Sequence, residues 1–331
     1  MRGRVTAQFV RKSVALVALP VVVVVLLTTA GCGTLSNLVS STSISQPVWM
    51  SDGWVYYLRE VNSEGHELWR QRKGQEGGER FLRAEDIVGA CDTEDFSFLF
   101  RATNDDLGIA AQCSGRSRLE LTKYSLKRKD FTHIASTPFL GGAALDPGTA
   151  TGYVELFTGC GTAIKPIRDG VVGEFTEPIT VAGKSWLLSG KQQDCKSVAE
   201  SKSPVLAPDG SVFFLTAPGS IGKLPITDPD TEDNLEWYLC SWDGHSTTAR
   251  VVTKFPDLVY VAVSPDGRFV FATVGTGGGG VLRIDATTGK TVKIIKGQQI
   301  YQPSFSPDGN HLAYVSDMGH IRFASLPSAT S

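Results

Sequence analysis

The chain has 331 residues, 41% of them hydrophobic and 20% charged, with a formal net charge of −2 at pH 7. A near-neutral, slightly acidic chain lacks the positive excess that nucleic acid or anionic lipid head groups select. Past residue 31 no stretch is long and apolar enough to cross a bilayer, so residues 33–331 are expected to form a soluble domain.

The first element is a targeting segment. Arg2, Arg4, Arg11 and Lys12 make a basic start, and Val14 to Leu27 is apolar apart from Pro20. Thr29, Ala30 and Gly31 then place small residues before Cys32. That order marks a secretory signal. Residues 1–31 resemble a bacterial lipoprotein signal peptide with its lipobox, although Thr29 stands where leucine is usual. The resemblance implies that Cys32 becomes the new N-terminus and carries a diacylglyceryl thioether. Two acyl chains anchor a protein stably, whereas one is marginal. The alternative is an uncleaved transmembrane anchor, near the short limit of ~17–25 residues for a span. Both readings put the remainder on the extracytoplasmic side of the cell membrane. Loss of the four basic residues takes the net charge from −2 to −6.

From residue 45 to 328 the chain repeats one unit. A short apolar strand leads into a tight turn and a second apolar strand. The turn is Ser264-Pro265-Asp266-Gly267 before "RFVFAT" and Ser306-Pro307-Asp308-Gly309 before "NHLAYVS". Looser forms are Ala207-Pro208-Asp209-Gly210, and Met50-Ser51-Asp52-Gly53 before "WVYYL". Proline presets φ at the second turn position, and glycine suits the fourth. Two weaker copies lie between: one has Thr103-Asn104-Asp105-Asp106 in the turn, the other Asp146-Pro147-Gly148. The step from Asp266 to Asp308 is 42 residues, within the ~40–45 of a propeller blade. The steps of 63 and 57 residues from Asp146 to Asp209 and from Asp209 to Asp266 imply insertions, notably Ala217 to Asn234. Six copies of four antiparallel strands predict an all-β, six-bladed β-propeller. Copy six lacks a fourth strand. The segment 32–44 reads as a lipidated tether or closing strand, and the stretch Leu35 to Ser45 is expected to supply the missing strand and so remove an exposed sheet edge; a flexible serine-rich tether is the alternative.

These repeats resemble the TolB-type, WD40-like propeller repeat, most closely at Ser264 to Gly267 and Ser306 to Gly309. The resemblance implies an envelope protein that binds other proteins. It covers the propeller only, and there is no room for the separate α/β domain that TolB-type proteins often carry.

With Cys32 assigned to lipid, five cysteines remain, and an extracytoplasmic site permits disulfides. In the blade pattern Cys91 precedes the first strand of copy two and Cys113 ends its second strand. Cys160 ends the second strand of copy three and Cys195 precedes the first of copy four. All four fall on one face, which predicts the pairs Cys91–Cys113 and Cys160–Cys195, each contributing roughly 3 kcal/mol. Cys240 reads as a buried free thiol. A zinc site is disfavoured, because no C-x-x-C spacing occurs and no histidine lies close to these cysteines.

No G-x-S-x-G or H-E-x-x-H pattern is present, and Gly183-Lys184-Ser185 lacks the upstream glycine of a phosphate loop, with Pro178 in its place. His66, His133, His245, His311 and His320 are scattered. Two loops stand out. Val274 to Gly280 is glycine-rich but precedes a strand, so it reads as flexible. Pro225 to Asp233 carries Asp228, Asp230, Glu232 and Asp233, a candidate partner-contact loop. The expectation is a monomeric, membrane-anchored, non-enzymatic interaction module with an envelope protein as partner and no cofactor or metal. The alternatives are a hydrolase or lyase working in the propeller's central funnel, or a small-ligand binding protein.

Overall fold

The apolar runs of the six copies become strands, and each copy closes as its own sheet. The computed structural model describes residues 44–61, 65–87, 93–103, 105–113, 119–137, 140–146, 151–158, 161–175, 179–184, 200–217, 236–256, 258–274, 279–296, 300–316 and 319–326. All lie in one unit, Ser43–Ser331.

Blade one is β1 (Ile44–Trp49), β2 (Trp54–Glu60), β3 (His66–Arg72) and β4 (Glu79–Leu82), followed by a 3-10 turn at Ala84–Asp86. Blade two is β5 (Thr93–Arg101), β6 (Asp106–Cys113), β7 (Leu119–Ser125) and β8 (Asp130–Thr137). Blade three is β9 (Leu140–Asp146), β10 (Thr151–Thr158), β11 (Gly161–Arg168) and the short β12 (Val171–Val172). A two-residue strand that the sequence did not signal, β13 (Thr180–Val181), comes next and joins blade four. That blade is β14 (Glu200–Leu206), β15 (Val212–Ala217), β16 (Glu236–Trp242) and β17 (Thr248–Pro256), with β13 parallel to β17 at its outer edge. Blade five is β18 (Leu258–Val263), β19 (Phe269–Val274), β20 (Gly280–Asp285) and β21 (Thr291–Lys296). Blade six is β22 (Ile300–Phe305), β23 (His311–Ser316) and β24 (Ile321–Ser325), three strands among the described residues. Within each blade the strands follow one another as an antiparallel meander. Of the stretch expected to close blade six, only Ile44 and Ser45 are described; they begin β1, paired with Arg59 and Leu58. The rest lies outside the described residues.

A blade packs on both faces, so its middle strands bury side chains of both parities. All six residues of β15, Val-Phe-Phe-Leu-Thr-Ala, are buried. Tyr56 and Leu58 of β2 face blade two, while Val55 and Tyr57 face blade six. The buried apolar side chains form six clusters, one at each joint between neighbouring blades, including the joint of blade six with blade one. The ring is therefore closed.

The recurring turn explains itself atom by atom. In blade five Gly267 N–H donates to Ser264 O at 2.9 Å, and Gly267 sits at φ +73°, where glycine carries no steric penalty. The Ser264 hydroxyl donates to Asp266 Oδ1 at 2.6 Å and accepts the Phe269 N–H at 3.0 Å. Blade six repeats this with Ser306, Asp308 and His311. Blade four has Ala207 at the first position, and there Ser211 supplies the hydroxyl to Asp209 at 2.6 Å. Its turn closes one residue earlier, Ala207 N–H to Ser211 O at 2.8 Å, against Ser264 N–H to Phe269 O at 2.9 Å. The serine hydroxyl is what holds the extra residue.

Candidate functional site: the axial cavity

The first strand of every blade is the innermost, and its outer neighbour is the second strand, so its other edge faces the ring axis. Edge strands tolerate proline, which removes a ladder donor. Pro47, Pro204 and Pro303 occupy equivalent positions in β1, β14 and β22, each five residues before the turn aspartate. Each lies within a break of strand register. Ser203 and Gln302, the residues before two of them, take φ of +54° and +42°. A non-glycine residue there stores about 1–3 kcal/mol of strain. The Ser203 N–H that the break frees donates to the buried Glu155 carboxylate at 2.7 Å.

These edges enclose a cavity of about 290 Å³ reaching all six blades. Its wall is mostly aliphatic, aromatic or backbone, from residues such as Val48, Leu99, Ala143, Pro204, Val261 and Pro303. Its polar side chains are Arg101, Ser203, Tyr260, Gln302 and Ser304. Among the described residues Arg101 is the one charged residue of the wall. It ends β5, and its Nη2 donates to Trp49 O and Phe305 O, both at 2.5 Å. One side chain of blade two thus bridges blades one and six. Desolvation pulls the guanidinium down to about 10, still charged at neutral pH. Beside it the buried Trp49 N–H donates to Ser304 Oγ at 2.9 Å, a second link across the same seam.

The sequence reading missed Arg101, yet a signal was present. Two residues before the Thr103 turn, Arg101 stands where the folded blades place Trp49, Leu206, Val263 and Phe305 in four other copies, and among these five only it is charged. The proline five residues before the aspartate was likewise legible.

The residues singled out beforehand are placed as follows. Cys32, Cys91, Cys160 and Cys195 lie outside the described residues, as do Asp228, Asp230, Glu232 and Asp233. Cys113 ends β6, buried and disulfide-bonded. Cys240 is free and buried, and burial pushes its thiol up to about 12. The strand ends that flank the two loops, Ala217 and Glu236, Val274 and Gly280, share with Cys113 the face of the ring opposite the turns. Lys184, from the failed phosphate-loop pattern, donates to Tyr238 Oη at 3.1 Å. His66, His311 and His320 fall at or just before strand starts.

One histidine cluster invites a catalytic reading and fails it geometrically. His133 Nε2 lies 2.6 Å from Glu120 Oε2, and the Ser136 hydroxyl donates to the same carboxylate oxygen at 2.7 Å. A relay needs serine on one ring nitrogen and the carboxylate on the other; here both crowd Nε2. Among the described residues no three His, Cys, Asp or Glu side chains converge to hold a metal ion.

No protein-family model matches the chain, and no curated protein does. Solved structures do. TolB from Acinetobacter baumannii is similar at a TM-score of 0.51 and 14% identity, over 85% of this chain and 63% of that one. A TolB-like structure from Agrobacterium tumefaciens gives 0.51 and 14%, over 86% and 91%. Hydrazine synthase of Kuenenia stuttgartiensis gives 0.50 and 12%, over 86% and 83%. The chain spans less than two thirds of the Acinetobacter protein, and at these identities the likeness is one of fold. In that sense the chain is a TolB-like six-bladed β-propeller.

Proposed function

We propose that the chain is a lipoprotein, anchored through Cys32 on the extracytoplasmic face of the cell membrane, that acts as a non-enzymatic module binding another envelope protein. The observation that carries the reading is a loop length. Between second and third strands, blades one, two, three, five and six allow two to five residues. Blade four allows eighteen, residues 218–235, including Asp228, Asp230, Glu232 and Asp233. A long connection between strands of a rigid scaffold is where binding is usually carried. Its carboxylates suit a basic partner surface. The disulfides Cys91–Cys113 and Cys160–Cys195 would brace that same face.

The test is crosslinking capture from the protein's own membranes, beside a variant lacking Asp228 to Asp233. A defined partner that disappears with the deletion supports the reading. Capture of nothing above background, with the deletion indistinguishable from wild type, refutes it. Cys32→Ala should release the protein from the membrane fraction.

A further inference from the structure

We propose that the axial cavity binds a small monocarboxylate with an apolar body, its carboxylate on Arg101. The inference stands apart from the partner reading, since it uses the channel and not the acidic loop.

Three observations converge. Arg101 presents five N–H donors, of which the two on Nη2 are taken by Trp49 O and Phe305 O. Nε and Nη1 remain. No carboxylate among the described residues lies within ion-pair distance of Arg101, and burial alone lowers its affinity for the proton. Arg101 is partly buried, and a partly desolvated cation without a counter-anion carries a cost. It also attracts an anion more strongly than a surface arginine does. The cavity that Arg101 faces holds about 290 Å³, room for a ligand of several carbon atoms.

The wall selects the chemistry. One cation balances one negative charge, and a dianion such as phosphate would enter with an unpaired charge against Val48, Leu99, Pro204 and Val261. An apolar tail would gain from those same residues. Ser203 and Gln302 also line the wall, the Ser203 hydroxyl donating to Val259 O at 3.4 Å. The φ of +54° and +42° at these two residues puts local strain beside a cavity, where strained backbone often accompanies function.

The experiment is calorimetric titration of the full chain, in detergent, with hexanoate, using 1-hexanol as the neutral control. Two variants accompany wild type: Arg101→Gln, and the isosteric Gln302→Glu, which adds negative charge to the wall without changing its shape. The expected result is saturable binding of one hexanoate per chain, none of hexanol, and at least a tenfold weakening in each variant. Gln302→Glu keeps the test decisive should Arg101→Gln fail to fold. The absence of saturable hexanoate binding to wild type, equal binding of hexanol, or unchanged affinity in the folded variants would overturn the proposal.

Discussion

The joint between blades four and five and the seam between blades six and one do the same job with apolar packing and polar links in different proportions. At the joint fourteen buried apolar residues interlock, among them Phe213, Leu239, Val270, Leu282 and Ile284. Blade four also runs directly into blade five, since only residue 257 separates β17 from β18. Among the described residues the seam has six buried apolar ones, Trp49, Val55, Tyr57, Ala313, Val315 and Ile321. Trp49 stacks edge-on against Phe323 with ring centroids 5.2 Å apart. Polar links cross both: at the joint Arg250 of β17 donates to Ala286 O at 2.8 Å, and at the seam Arg101 donates to the Trp49 and Phe305 carbonyls and the Trp49 N–H to Ser304. A propeller with a thin apolar seam gains specificity of closure from directional bonds.

That contrast can be broken from either side. The largest effect belongs to the apolar joint: Leu239→Ala, at a site with no exposed surface, should cost about 3–5 kcal/mol in urea unfolding. Next comes Arg101→Ala, at about 2 kcal/mol: two charge-assisted bonds are lost, partly offset by relief of a half-buried cation. Equal losses for the two would erase the distinction. Ser304→Ala leaves the buried Trp49 N–H without its acceptor and should cost about 1–2 kcal/mol. Ser264→Ala removes a similar bond at an ordinary turn. Blade four already makes that turn with Ala207, so the loss should stay under about 1 kcal/mol; a larger loss would mean the hydroxyl does more than hold one residue.

The smallest effect is pH-dependent and sits between blades one and two. His66 Nδ1 lies 3.1 Å from Asp95 Oδ2, each side chain about one-third exposed, at 31% and 33%. The bond to Asp95 raises the His66 pKa above 6.5, with burial opposing. Burial pushes Asp95 up, but the His66 ring and backbone N–H overcome it, and its pKa falls below 3.8. The His66 contribution is complete below pH 6.5 and lost as pH rises through its raised folded value. The Asp95 contribution is complete above pH 3.8 and lost as pH falls through its lowered one. Solvent screening holds the effect to a few tenths of a kcal/mol, roughly. Asp95→Asn should therefore narrow the stability gap to wild type between pH 5.5 and pH 9; a gap that does not change with pH would remove the pair from the account.

The sequence showed the blades because each turn is local. Pro265, Asp266 and Gly267 act on a handful of neighbouring atoms, so "SPDG" before an apolar run could be read without the fold. The Asp308 carboxyl, held down to about 2 by the Ser306 hydroxyl and then the Asn310 N–H, shows how self-contained that unit is. The weak copies were still readable, because β9 and β10 keep the apolar pattern after the turn residues have drifted. A central funnel was expected, but how its lining comes together was not readable. Arg101 meets Phe305 across 204 positions of sequence, and only ring closure brings them together. β13 escaped for the same reason, since two residues have no periodicity and Thr180 pairs with Thr248.

Whether Arg101 and Ser304 lock the seam is decided by native-state hydrogen exchange in wild type and Arg101→Ala. The account predicts at least tenfold faster exchange in β1 and in β22 to β24, with β15, β16 and β19 unchanged. Uniform acceleration through all six blades, or none at the seam, would contradict it.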